Sequence, residues 1–188
     1  MTTKNILLCV TGSIAVYKAA DLANRLVKEG YNVETIMSHS AREFVAPLTF
    51  QTLTGNKVHT QMFDLFDPDH QVEHISLARK ADVCIVAPAT ANIIGKIAAG
   101  IADDMVSTVI MALDHAPVYI CPAMNTKMYE NPIVQRNIKS LWAMGYRFIE
   151  PKESRLACGD IGRGAMADVN VIVNAVITYL QSVDKNGK

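Results

Sequence analysis

Nowhere in the 188 residues does an apolar run approach the ~18 residues of a membrane-crossing helix. The opening MTTKNILLCVTGS is a poor secretion signal, because its apolar stretch is short and runs straight into a glycine turn without a cleavage-type site. An excess of one charge is also lacking. Eighteen basic and 18 acidic residues cancel, which argues against a polybasic nucleic-acid or membrane surface and suits a protein that buries surface in an oligomer. Cysteine is scarce and scattered: Cys9, Cys84, Cys121 and Cys158 form no CxxC pair and no zinc spacing, so neither a disulfide framework nor a metal site is expected. The first three lie inside apolar runs and read as small core residues. Together these features point to a cytoplasmic protein. Internal repeats and low-complexity segments are missing as well.

What is present is a regular alternation of strand-like and helix-like stretches. The length suits one domain, taken as residues 1–183, with a polar, fraying tail over 184–188. Half the residues are apolar, enough for a full core. Ile6–Val10 reads as a buried strand closed by Thr11-Gly12-Ser13. A helix follows, with Ala15, Ala19, Leu22 and Leu26 on one face and Gly30 at its end. Val33–Met37, Val83–Ala87, Val118–Cys121 and Arg147–Ile149 are further strands. Helices are predicted around Leu48–Leu53, Ile93–Ala99, Met105–Leu113 and from Pro132 to Gly145. Asn56–Pro68 reads as an excursion. The last helix carries Val169, Ile172, Val173, Val176, Ile177 and Leu180 on one face. Alternating β and α with apolar strands predicts an α/β fold, a parallel sheet flanked by helices on both faces.

In such sheets ligands bind beyond the carboxyl ends of the strands. That rule selects four loops: Gly12-Ser13, Ser38-His39-Ser40, Pro88–Asn92 and Pro122–Asn125. Gly12 permits close backbone approach and Ser13 offers a hydroxyl near a helix start, a natural phosphate site or an ordinary turn. Ser38 and Ser40 add hydroxyls, or cap a helix beginning near Ala41. APATAN supplies Thr90, Ala91 and Asn92 for the edge of a polar heterocycle. The dinucleotide fingerprint is broken by Ile14 and Tyr17, and no Walker lysine pattern occurs, so a mononucleotide is favoured over NAD or ATP.

Three segments carry more specific chemistry: PAMNTKMYENP (Pro122–Pro132), HISLA with His74, and ACGDIGRGAMAD (Ala157–Asp168). With TGSIA and APATAN, in this order and spacing, they resemble the flavin-dependent cysteine decarboxylases over about residues 4–180. The resemblance implies a Rossmann-like three-layer fold, FMN, a trimer or a dodecamer of trimers, and an active site between subunits. It implies decarboxylation of 4′-phosphopantothenoylcysteine on the way to coenzyme A. Asn125 would bind the substrate carboxylate, with Met124, Met128, Ala157 and Gly159 shaping its pocket. His74 would assist proton transfer, and Cys158 would donate a proton in a final reduction. Gly159, Gly162 and Gly164 would give the Cys158 segment the mobility of a lid. Gly12, Ser13, Ser38, Ser40, Thr90, Ala91, Asn92 and Ser107 would hold FMN. Asn125 as a helix cap, the methionines as packing and His74 as a structural residue are the plainer roles. A peptidyl-cysteine decarboxylase would lack the Cys158 motif, and a flavin prenyltransferase would lack PAMN with ACGD. A catalytically silent FMN-binding regulator would have lost signature residues. Many relatives fuse this domain to a ligase, which is not expected within these residues.

Overall fold

The structure, a computed structural model, describes residues 3–62, 73–155 and 161–185. The chain begins with β1 (Asn5–Val10), α1 (Val16–Lys28), β2 (Asn32–Met37), α2 (His39–Arg42), α3 (Pro47–Thr54) and β3 (Val58–His59). It continues with α4 (Glu73–Lys80), β4 (Val83–Ala89), α5 (Ala91–Ala99), α6 (Met105–Ala112) and β5 (Val118–Pro122). α7 (Thr126–Glu130), α8 (Pro132–Ala143), β6 (Arg147–Phe148), a hairpin of β7 (Lys152–Arg155) and β8 (Ile161–Ala165), and α9 (Val169–Lys185) complete it.

The six sheet strands are parallel, in the order β3-β2-β1-β4-β5-β6. Strand residues alternate between two cores, as a period of two requires. Ile6, Leu8, Val10, Val83 and Ile85 face one layer, with α1 and α9. Leu7, Cys9, Cys84 and Val86 face the other, with residues of α4, α5, α6 and α8. Both sides of β1 and β4 are therefore apolar, which is why these strands read as continuous hydrophobic runs. This is the Rossmann-like three-layer arrangement. On α1, Val16, Ala19, Leu22, Ala23 and Leu26 are all fully buried, and each larger side chain contributes about 1.5–3 kcal/mol. Among the described residues no helix is long and apolar enough to cross a membrane.

The structure shifts several expected boundaries. α2 begins at His39 rather than near Ala41, because Ser38 caps it by accepting from the Ala41 N–H at 3.3 Å. The excursion after Asn56 contains β3, which extends the sheet beyond β2; its remainder from residue 63 lies outside the described residues. α8 stops at Ala143, and Gly145 takes the left-handed conformation at φ 95°. α9 runs past residue 183, and Asp184 pairs with Lys4 at 3.4 Å, so the start of the supposed tail belongs to the last helix. Within Ala157–Asp168, read as a lid, residues Ile161–Ala165 form β8, which pairs antiparallel with β7 just before that segment.

Candidate active site

The chain moves outward from β1 to β2 and β3, then returns to β4 on the other side of β1. The order reverses between β1 and β4, the switch point at whose carboxyl edge a sheet of this kind offers a ligand crevice. The loops after β1 and β2 meet closely: a Cβ on Gly12 would lie 2.4 Å from Ser40 Cβ and 3.0 Å from its carbonyl carbon. Gly12 is thus required by the neighbouring loop, so that two hydroxyl-bearing turns can share one corner. Ser13 precedes α1, where its Oγ accepts from the Ala15 N–H at 3.3 Å and its carbonyl accepts from Val16 N–H. α1 has no side-chain cap and no acidic residue in its first turn. Its positive end is left for another anion. Ser38 is half-buried and Ser40 exposed.

Across the crevice, Thr90 caps α5 by accepting from Ile93 N–H at 3.3 Å. Ala91 opens that helix half-buried, and Asn92 is exposed one residue on. Thr11, which sequence reasoning passed over, ties the two sides together. Its hydroxyl donates to the Pro88 carbonyl at 2.6 Å and accepts from the Thr90 N–H at 3.2 Å. The only forward signal was a threonine directly after a buried strand at the switch point. Ser107 is fully buried, and its hydroxyl forms a capping box with Asp104, whose carboxylate and N–H it meets at 3.1 Å. Lys96 holds Asp103 and Asp104, each at 2.6 Å. Burial alone would push the Asp104 carboxyl up, but Lys96 and the α6 N-terminus outweigh it and hold it low. Ser107 therefore shapes the loop before α6, while its hydroxyl is committed within that loop.

Asn125 sits at the end of β5, at the same carboxyl edge. It is the N-cap of α7, its Oδ1 accepting from Lys127 N–H at 2.8 Å, so the plain capping role is real. Met124 is half-buried against the second core, whereas Met128 is 49% exposed. The hairpin packs directly on this loop. A Cβ on Gly164 would lie 2.3 Å from the Met124 carbonyl oxygen, and one on Gly162 would lie 2.5 Å from Thr126 Oγ1. The Met124 N–H donates to the Gly164 carbonyl at 2.9 Å. These glycines were expected to supply mobility; instead they allow close contact, because only a residue without a Cβ fits against the Asn125 loop.

A second tie joins α7 to β8. Tyr129 donates to Glu150 at 2.7 Å, Arg163 meets the same oxygen at 2.8 Å, and the guanidinium lies 5.8 Å from the Tyr129 ring centre. Burial, then the Glu150 carboxylate, push the Tyr129 phenol up to about 12, so it remains a donor. Ala157, Cys158 and Gly159 lie outside the described residues, between β7 and β8. A cavity of about 600 Å³ beside Tyr129, Trp142 and Phe148 includes none of the crevice residues.

His74 stands in the first turn of α4, half-buried. Because α4 follows a parallel strand and returns the chain to the start of β4, its first turn belongs at the carboxyl edge. The buried Cys9, Cys84 and Cys121 thiols are core residues. Burial pushes Cys121 well above the usual thiol range, which makes it inert.

Hydroxyls on three loops, a glycine corner and an uncapped helix suit a phosphate and a polar heterocycle, the donor set that a flavin mononucleotide would use. Residues 1–181 match the Flavoprotein family. A probable phosphopantothenoylcysteine decarboxylase of Streptococcus mutans is 49% identical over 175 residues, 93% of this chain and 97% of that protein. The coenzyme A biosynthesis bifunctional protein of Bacillus subtilis is 52% identical over 173 residues, 92% of this chain but only 42% of that protein. A solved cysteine-to-serine variant of a PPC decarboxylase, complexed with pantothenoylaminoethenethiol, superposes with TM-score 0.84 at 33% identity, covering 96% of this chain and 100% of that one. The FMN-binding protein AtHal3 superposes with TM-score 0.80 at 34% identity, covering 96% and 98%. With nearly its whole length accounted for and its crevice built at the switch point of a Rossmann-like sheet, this chain belongs to the flavoprotein family.

Proposed function

We propose that this chain binds FMN and converts 4′-phosphopantothenoylcysteine to 4′-phosphopantetheine in coenzyme A biosynthesis, in the cytoplasm. The observation that carries this reading is the meeting, at one sheet edge, of the phosphate-type corner with the Asn125 loop and, packed on that loop, the glycine-bearing strand β8 that follows Cys158 in the chain. The names of the relatives support the same substrate.

In this reading Gly12, Ser13, Ser38 and Ser40 hold the phosphate, and Thr90, Ala91 and Asn92 line the flavin edge. Ser107 keeps the loop before α6 in place. FMN supplies the two-electron oxidation of the substrate CH2–SH to a thioaldehyde and the return of those electrons after CO2 has left. Asn125 orients the carboxylate with a neutral amide, which avoids stabilising the charge that must depart. Its position just beyond the carboxyl end of β5, at the start of α7, fits that task. Loss of CO2 leaves electrons on the carbon next to C=S, giving an enethiolate. His74 moves a proton to or from the substrate before CO2 loss, and Cys158 donates the proton that accompanies final reduction. Met124, Met128, Ala157 and Gly159 bound the substrate. A trimer, or a dodecamer of trimers, completes the site between subunits. Ile14 and Tyr17, both 60% exposed beside the crevice, give such an assembly apolar surface to bury.

Mass spectrometry of the purified protein with 4′-phosphopantothenoylcysteine and no nicotinamide tests the reading. Loss of one CO2 with formation of 4′-phosphopantetheine is the expected result. Flavin binding without turnover would leave the silent regulator. Turnover of a peptide C-terminal cysteine alone, ending at the enethiol, would leave the peptidyl-cysteine decarboxylase.

A further inference from the structure

We infer that His59 is a positioning residue, clamping the first turn of α4 through Glu73 and so setting the placement of His74; this rests on the decarboxylase reading. His59 ends the edge strand β3, whose Val58 and His59 pair with Thr35 and Ile36 of β2. Its side chain is only 8% exposed, yet both ring nitrogens face carboxylates. Nδ1 lies 2.6 Å from Glu73 Oε1 on α4, and Nε2 lies 3.5 Å from Glu34 Oε2 on β2. Lys57 reaches the same Glu73 oxygen at 3.1 Å, and Lys80 acts on Glu34 from the far end of α4.

A neutral imidazole has one N–H and can serve one of two carboxylates; the imidazolium serves both. Burial pulls the His59 pKa down, but Glu34 and Glu73 outweigh it, and the balance lies above the ordinary value. The charged form of the ring, which the two carboxylates favour, bridges β2 and α4.

The position of this bridge gives it a role in the reaction. α4 buries Leu77 and Ala78, one turn further on, while residues 73–76 are only half-buried. Packing fixes the body of the helix, and the Glu73 contact holds its start. Glu73 adjoins His74, so a shift of the first turn carries His74 with it. A proton-transfer group displaced by about 1 Å can lose as much as a hundredfold in rate.

The experiment uses the FMN-loaded protein with His59→Gln, Glu73→Gln and the double variant. Turnover and KM for 4′-phosphopantothenoylcysteine, flavin content and amide exchange over residues 73–80 are measured from about pH 6 to about pH 9. His59→Gln should lower kcat by roughly ten- to a hundredfold, with KM and flavin content within about twofold. The double variant, an amide pair without the buried charges, should recover part of that loss. In the wild-type protein, protection over 73–80, taken after dividing out the intrinsic rise of exchange with pH, should fall as the pH rises through the His59 titration; in His59→Gln it should be low throughout. Unchanged kcat in His59→Gln despite faster exchange would reduce the clamp to a structural tie and overturn the inference. If His59→Gln fails to fold, Glu73→Gln and the wild-type exchange profile decide. If the wild-type protein does not act on this substrate, the functional reading falls. Protection then decides the clamp alone, and protection that does not change with pH would refute it.

Discussion

Replacing Gly164 with alanine tests whether the hairpin is built onto the Asn125 loop. The added Cβ would sit 2.3 Å from the Met124 carbonyl oxygen, with the Thr126 nitrogen at 3.3 Å. A carbon and a carbonyl oxygen rest at about 3.3 Å or more, so the two segments must part by about 1 Å. The obstructing atom is backbone and has no rotamer to change. Overpacking of this kind costs about 1–3 kcal/mol. Separation also lengthens the 2.9 Å bond from Met124 N–H to Gly164 O, which adds about 1 kcal/mol. The sum, roughly 2–4 kcal/mol, should lower Tm by about 4–16 °C in a chain of this size. Differential scanning calorimetry reads the stability, and CO2 release reads the displacement of Asn125, so turnover should fall as well. Gly95→Ala is the internal control. Its Cβ would meet nothing nearer than Asn137 Nδ2 at 3.9 Å, in the middle of α5, and it should stabilise by about 0.5–1 kcal/mol. Equal Tm values for the two variants, with full turnover in Gly164→Ala, would refute the packing argument.

Gly12→Ala forces Ser40 away from the crevice corner and should reduce the flavin that copurifies, read from the visible absorbance. Thr11→Val removes the 2.6 Å bond to the Pro88 carbonyl and the acceptor for Thr90 N–H; chemical denaturation should show a loss of about 1–3 kcal/mol, together with weaker FMN binding. Cys158→Ser should still release CO2 but accumulate the ethenethiol product, seen by mass spectrometry, because its proton is needed only afterwards; normal yields of 4′-phosphopantetheine would remove Cys158 from the mechanism. The His59 cluster sets the sign of two pH effects, both measurable by denaturation across pH. His59 is raised, so its contribution is complete below about 6.5 and is lost as pH climbs through its higher folded value. Glu34 is lowered, chiefly by its bond to His59, so its contribution is complete above about 4.5 and is lost as pH falls through its lower folded value. His59→Gln should flatten the alkaline slope.

The alternation of apolar strands with amphipathic helices was determined by the sequence alone. Both faces of β1 and β4 are covered, so a continuous apolar run could mean only a doubly buried strand between helices. The four loops beyond the strand ends could be named for the same reason; a motif in one of them marked Asn125, and motifs outside them marked His74 and Cys158. Tertiary structure decided what those loops touch. The short strand β3 carries no apolar run, and its place at the sheet edge depends on pairing with β2. Thr11 is an unremarkable threonine until the strand order brings Pro88 and Thr90 beside it. Gly162 and Gly164 look flexible in sequence, because a glycine that grants freedom and one that grants close contact are written alike. Only the carbonyl of Met124 and the side chain of Thr126, brought there by a fold linking residues about 40 positions apart, distinguish them. His59 and Glu73 likewise became a pair only when β3 and α4 were set side by side, since local periodicity carries no record of contacts between distant segments.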